Sequence, residues 1–441
     1  DAEALFFHTS LSDRVARVAE RLPKLRLLVA VDDGGTPELG VPYEELVAGT
    51  DPMGRITRAE DDTYMLYTGG TTGMPKGVMY AMGGMAHSFV VGGYPLLGLT
   101  PPAGASEVAA QVKAVHQRGG APVSIPACPL MHGTGMWLGS FIPHLAGGCV
   151  VTLTNRSLDA HELLAAVQRE RVTTVAIVGD AFAKPIIRAI DEAADRGEPY
   201  DTASLTLVIS SGVMWTAEVK EALLDRAPHL VLFDAIGSTE GSMGTNVTMR
   251  GMPATTAKFT QMPTTKVFTE DGREVQPGSG EVGMVAAGGN VPLGYYKDPD
   301  KTSRTFRVID GVRYSFPGDL ALVEADGSLT LLGRGSQCIN TGGEKVYPEE
   351  VEEAVKRVQG VEDCLVVGVP DDKFGEAVTA VVAGSTTDGD QLIAAVKEHL
   401  AAYKAPKRVV FVAEVPRAPN GKADYRAAKQ MALDAAGSPA S

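Results

Sequence analysis

Short apolar runs alternate with amphipathic stretches through the first three quarters of the chain. Residues 25–31, 149–153, 172–178, 205–210 and 230–235 are apolar runs of strand length. Between them the spacing predicts helices. Asp159 and Glu162 have the form of a capping box, and Leu163, Leu164 and Val167 follow on one face. Residues 182–192 and 217–227 repeat the amphipathic pattern. Strands alternating with helices of this length predict an α/β fold whose sheets are mostly parallel and covered by helices on both faces.

The last quarter has a different rhythm. Pro348 stands at a helix's first turn, and Val351, Val355 and Val358 form its apolar stripe. Residues 364–369, 377–382 and 408–412 read as strands, and 392–400 as a helix. These elements predict a compact α+β domain of roughly 100 residues. We place the boundary between Arg334 and Gln337, so that residues 1–334 form a large domain and 335–441 a small mobile cap. Residues 435–441 read as a frayed end.

Composition narrows the class. A chain of 441 residues exceeds one core, and 44% hydrophobic with 21% charged residues is ordinary for a soluble globular protein. A net charge of −14 excludes a nucleic-acid backbone as partner, yet leaves room for a nucleotide held by a few local groups. Cys128, Cys149, Cys338 and Cys364 are widely separated. Neither a disulfide framework nor a zinc site is indicated, which fits a reducing, cytoplasmic setting. Residues 121–153 lack Asp, Glu, Lys and Arg, but Pro122, Pro126, Pro129 and Pro143 interrupt them. Buried loops, a helix and a core strand are expected there, not a membrane span. No signal peptide opens the chain, and the missing initiator Met suggests a fragment.

Candidate chemistry concentrates in Tyr67-Thr-Gly-Gly-Thr-Thr-Gly-Met-Pro-Lys-Gly77, which follows a strand-like run at 63–67. A loop of glycines and hydroxyls offers N–H and O–H donors to phosphate oxygens, and Lys76 adds a cation. It is not a Walker A loop, because Pro75 precedes the lysine and Gly77 follows it. The loop resembles the signature of the adenylate-forming superfamily of acyl-CoA synthetases, luciferases and peptide-synthetase adenylation domains. Further matches follow in the family's order: Ile236-Gly-Ser-Thr-Glu240, Gly318-Asp319, Gly333-Arg334 with Gly342-Gly343-Glu344, and Pro416-Arg-Ala-Pro-Asn-Gly-Lys422. Members usually carry a longer front segment than this chain has.

The resemblance implies ATP, Mg²⁺ and coenzyme A. Thr68, Gly69, Gly70, Thr71, Thr72, Gly73 and Lys76 would hold ATP phosphates, with Gly212, Asp234, Ala235, Ile236, Gly237 and Thr239 around the nucleotide. Glu240, together with Thr72, would serve Mg²⁺, which prefers one or two carboxylates plus phosphate oxygens. Asp319 can accept from both ribose hydroxyls, and the Arg334 fork suits ribose or phosphate oxygens. Lys422 would bridge the acyl carboxylate and the α-phosphate. Gln337 marks the hinge, and Gly342 and Gly343 would let the pantetheine arm approach.

Gly69, Ile236, Pro317 and Gln337 depart from the family's usual Ser, aromatic, Thr and charged hinge residue. Met131, Met136, Trp137 and Val213 would line the acyl pocket, with His132 beside the acyl carboxylate. No carboxylate stands there to pair a substrate ammonium, so an apolar carboxylic acid is expected, fatty or a steroid side-chain acid. Two other classes stay open: a fatty acyl-AMP ligase that loads a carrier protein, and a non-catalytic nucleotide-binding module. A homodimer is one option for the assembly.

Overall fold

The computed structural model describes residues 1–32, 37–68, 75–341, 344–371, 374–386, 388–418 and 421–437. The chain packs as two units, Asp1–Ala59 and Glu60–Ser441. In the first, the strands Ala4–His8, Leu27–Val31 and Val41–Pro42 pair in parallel. Phe7, Val15 and Ala30 are its small core. The run at 25–31 thus forms a strand that starts at Leu27.

The largest sheet of the second unit has 13 strands among the described residues. Five of these strands run parallel, in the order Cys149–Val150, Val123–Pro126, Thr174–Ile177, Leu207–Ser211, Val231–Ser238. Ala160–Glu170, Gly179–Asp195 and Ala217–Arg226 are the helices between these strands. Ile125, Val175, Ile177 and Leu232 from the strands bury against Leu163, Leu164, Val167 and Phe182. Each such side chain contributes roughly 1.5–3 kcal/mol by leaving water.

Only half of the capping box forms. Asp159 accepts from the N–H groups of His161 and Glu162. The Glu162 carboxylate turns instead to Thr154, where the N–H (2.7 Å) and hydroxyl (2.6 Å) both donate to one oxygen.

Beyond Val231–Ser238 the sheet becomes antiparallel. The next strand, Gly241–Thr248, follows after two residues, and so short a link can join only antiparallel neighbours. Glu240 is in that link. A separate antiparallel sheet holds Thr63–Thr68, Lys76–Ala81 and Gly294–Tyr295, with Thr68 opposite Lys76.

The uncharged stretch folds into a strand over Val123–Pro126, a π-helix over Thr134–Phe141, a short helix and the strand Cys149–Val150, so the run expected at 149–153 forms a strand only over its first two residues. A Cβ at Gly139 would sit 2.8 Å from Pro126 Cβ and 3.1 Å from Ala176 Cβ. Glycine lets the π-helix lie flat on the sheet there. No described helix is long and apolar enough to cross a membrane.

The tail builds a five-stranded sheet from Ile339–Thr341, Glu344–Val346, Val361–Asp371, Gly375–Gly384 and Arg408–Val412. Val351, Val355, Leu392 and Val396 cover one face, from the helices Pro348–Lys356 and Gly389–His399. Ala428 and Ala432 of Tyr425–Gly437 cover the other. The tail therefore has its own core, although packing within residues 60–441 groups it with the larger sheets.

Candidate functional site

Distant parts of the second unit converge on a cavity of about 490 Å³. Thr68 and Lys76 reach it from the antiparallel hairpin, and Gly212 and Val213 from just beyond the strand Leu207–Ser211. Asp234, Ala235, Ile236, Gly237, Thr239 and Glu240 line it from the end of the neighbouring parallel strand. Ligands of α/β sheets commonly bind at this carboxyl-terminal edge. Asp319 and Arg334 face each other on adjacent strands, and Lys422 enters from the tail.

One end of the cavity is charged. Glu240 is fixed by Tyr295, whose hydroxyl donates to its Oε1 at 2.7 Å. Burial, then Glu240, raises the Tyr295 pKa and keeps that donor protonated. Tyr80 donates to the Thr239 carbonyl at 3.0 Å and holds the same turn. The Lys76 ammonium lies 5.4 Å from the centre of the Tyr295 ring. Burial, then the adjoining Lys301, brings the Lys76 pKa down to about 8.

Asp319 is raised, first by burial, and its Oδ1 lies 3.6 Å from Arg334 Nε. Its Oδ2 is buried with no donor among the described residues. A buried, unsatisfied acceptor is costly, and a ligand hydroxyl would satisfy it.

Lys422 is reachable from the open cleft but ringed by protein. Desolvation, then Arg334, lowers its pKa. Gly212 has a φ of +92°, and a Cβ there would come 3.6 Å from Lys422 Cε. That glycine leaves a lane for the lysine. His132 lies beside Lys422, and burial followed by that charge lowers its pKa.

The other end is apolar. Ile236, Met243, Ala257, Phe259 and Leu331 line it, with Ile236 where an aromatic ring was the expected form. Beneath it Lys220 donates to Asp234 Oδ2 at 2.9 Å and to the Thr255 carbonyl at 3.0 Å. Both members of this pair are buried, at 1% and 6% side-chain exposure. The pair was not anticipated. It commits one oxygen of Asp234 to a structural partner.

Not every expected residue reaches the cavity. Val213 lines it, but Met131 is 66% exposed and Met136 is half-buried away from it. Trp137 packs edge-on against Tyr80 and donates from Nε1 to the Tyr64 hydroxyl at 3.2 Å. It is a core side chain rather than an open pocket wall. Gly69, Gly70, Thr71, Thr72, Gly73, Gly342 and Gly343 fall outside the described residues.

Gln337 lines the cavity from the turn Gly335–Gln337. Nearby, Glu349 inserts its carboxyl where a Cβ at Gly333 (φ +101°) would overlap it. Burial, then Glu352, pushes the Glu349 pKa up to about 8. Tyr80, Tyr295, Lys301 and Lys220 all escaped sequence reasoning. None belongs to a phosphate or carboxylate motif, and pairing across the fold alone brings them in.

Residues 1–296 match the sequence model of the AMP-binding enzyme family, and residues 350–422 that of the AMP-binding enzyme C-terminal domain. The chain belongs to this family. It is 41% identical to a 3-oxocholest-4-en-26-oate–CoA ligase of Rhodococcus rhodochrous, across 98% of this chain and 78% of that one. A medium/long-chain-fatty-acid–CoA/3-oxocholest-4-en-26-oate–CoA ligase of Mycolicibacterium smegmatis is 40% identical, across 98% and 79%. The solved structure of ATP-bound MatB from Rhodopseudomonas palustris superposes with a TM-score of 0.77 at 25% identity, covering 98% of this chain and 80% of that one.

This AMP-binding enzyme has a donor set that fits a magnesium nucleotide. Among the described residues no group of three His, Cys, Asp or Glu could hold a metal on its own. Glu240 offers one carboxylate, which together with phosphate oxygens and water would suit the ligand set that Mg²⁺ prefers.

Proposed function

We propose that this AMP-binding enzyme is an acid–thiol ligase that activates an apolar carboxylic acid with ATP and passes the acyl group to coenzyme A. The observation that carries the reading is that Lys76, Glu240, Asp319, Arg334 and Lys422 line one cavity. The acid's class, a fatty or steroid side-chain acid, is supported by the names of the two relatives above and by the apolar surroundings of Val213. ATP and coenzyme A as substrates make the cytoplasm its working compartment.

In the first step a carboxylate oxygen attacks the α-phosphorus. The bond to the bridging oxygen breaks, and pyrophosphate leaves with the electron pair. Two anions must approach, so the barrier is electrostatic. Lys422 lies between the acyl and phosphate ends, where its charge offsets both. Asp319 accepts from the ribose, Arg334 steadies Asp319, and the apolar slot behind Ile236 takes the base. Mg²⁺, when bound, supplies Lewis-acid neutralisation of the phosphates, and Glu240, held by Tyr295, is its protein ligand.

In the second step the thiol attacks the acyl carbon and AMP departs. Lys422 stands against Gly212, where an added Cβ would come 3.6 Å from its Cε, and a turn of the cap about Gln337 would withdraw it to let a thiol enter.

The test is a panel of acids, short-chain to steroidal, scored for pyrophosphate release with and without coenzyme A. Wild type should release pyrophosphate with an apolar acid and release AMP when coenzyme A is added. Lys422→Ala should lower adenylation at least a hundredfold while retaining most thioester formation from supplied acyl-adenylate. Adenylate without thioester would favour a carrier-protein acceptor. Absence of both would leave a nucleotide-binding module.

A further inference from the structure

Lys301 belongs to no motif, yet the fold delivers it to the charged end of the cavity. The strand Gly294–Tyr295 pairs with Lys76–Ala81, placing Tyr295 opposite Val78. The chain then turns into the helix Pro299–Thr305. Asp298 Oδ1 accepts from the Lys301 N–H at 3.0 Å, which fixes that turn. Thr302 ties it back, donating to the Asp298 carbonyl at 2.7 Å and accepting from the Tyr295 N–H at 2.9 Å. Lys301 therefore leaves a well-anchored backbone, and its side chain lines the cavity together with Lys76 and Glu240.

Two ammonium groups side by side in a partly desolvated cleft repel each other. The Lys301 group lies close enough to Lys76 to disfavour its charge, while Glu240 and Asp298 favour it less strongly. Glu240 is already engaged with Tyr295. Among the described residues neither lysine is in an ion pair with a carboxylate within 4.0 Å. Folding offsets this repulsion only in part, and a polyanion bridging the two cations would relieve the rest.

We propose that Lys301 is a second phosphate-binding cation, acting with Lys76 on the β- and γ-phosphates of ATP and on the pyrophosphate that leaves. The proposal rests on the adenylation reading and assigns a residue to its leaving-group end. Pyrophosphate departs with the bonding electron pair and the full charge of the two terminal phosphates, so a cation there stabilises the transition state as well as bound ATP.

The experiment compares binding of ATP, AMP and inorganic pyrophosphate, each with Mg²⁺, to wild type, Lys301→Met, Lys301→Gln and Lys301→Arg. Removing one charge-assisted contact typically weakens binding by about tenfold or more. ATP and pyrophosphate should therefore bind Lys301→Met and Lys301→Gln about tenfold more weakly. AMP, which lacks the terminal phosphates, should change less than twofold, and Lys301→Arg should restore most of the loss. Equal weakening for AMP and ATP would show a merely structural lysine and overturn the proposal, as would unchanged ATP binding. Two neutral variants of different shape guard against a misfolded one, and circular dichroism checks each. Wild type that binds pyrophosphate but forms no adenylate would instead overturn the ligase reading, so the two failures are distinct.

Discussion

Lys76 is subject to conflicting demands. Its proposed task requires a positive charge, but burial and Lys301 lower its pKa to about 8. Below that pH the ammonium is charged before ATP arrives. Above it the side chain is mostly neutral, and binding must first take up a proton. The KM for ATP should therefore rise as pH increases from about 7 to 9, by several-fold, and Lys76→Met should flatten that rise while raising KM throughout. Steady-state kinetics at saturating acid would check this, and a wild-type KM unchanged across the window would contradict it. The resemblance to the family's ordered motifs placed Lys76, Glu240, Asp319 and Lys422 as candidates. Lys301 and Tyr295 lie in no such motif. They matter through a strand pairing that joins residues far apart in the chain, and single-sequence patterns do not carry pairing.

At the scale of elements, the buried Lys220–Asp234 pair links the helix Ala217–Arg226 to the strand that forms one wall of the cavity. Desolvation opposes both charges, and burial raises the Asp234 pKa despite the lysine. Lys220→Met would leave a carboxyl buried without its cation. Such half-pairs typically cost about 3–5 kcal/mol, so the denaturation midpoint should fall sharply. The double variant Lys220→Met, Asp234→Asn should recover a substantial part of the loss. Equal stability of the single variant and wild type in chemical denaturation would show that the pair is not a structural tie. The parallel strands at 174–177, 207–211 and 231–238 were legible because apolar runs alternate with helical stripes. The antiparallel part was not. Most of its strands mix polar with apolar residues and are joined by turns whose partners the pattern leaves open. The slip at Ile236/Gly237 is equally hidden, although it precedes the turn bearing Glu240.

The whole molecule must satisfy two incompatible arrangements if one cap serves both half-reactions. In the arrangement seen, Gly421 lies against the helix Gly179–Asp195, and a Cβ built on it falls 3.5 Å from Ala181 Cβ. That separation suits a disulfide, for which Cβ atoms sit roughly 3.5–4.5 Å apart. The variant Ala181→Cys, Gly421→Cys should therefore lock the cap when oxidised, although Gly421 has a φ of +77°, and a side chain there costs about 1–3 kcal/mol in backbone strain. Cys149, the exposed native thiol, would be replaced by Ser to keep the cross-link specific. Two of the polar contacts that link the tail to the larger sheets are solvent-exposed. Lys184 donates to the Glu362 carbonyl at 2.6 Å and Arg357 stands 3.5 Å from Glu218, all on exposed surface where ion pairs contribute about 0–1 kcal/mol. We expect the oxidised variant to form acyl-adenylate in a single turnover while making thioester at least tenfold more slowly than its reduced form, with reductant restoring the rate. The reduced form carries the same two substitutions, so it controls for strain at Gly421. Oxidised protein, its disulfide verified by mass spectrometry, that made thioester as fast as the reduced form would show that Lys422 need not leave the cavity for the thiol to enter.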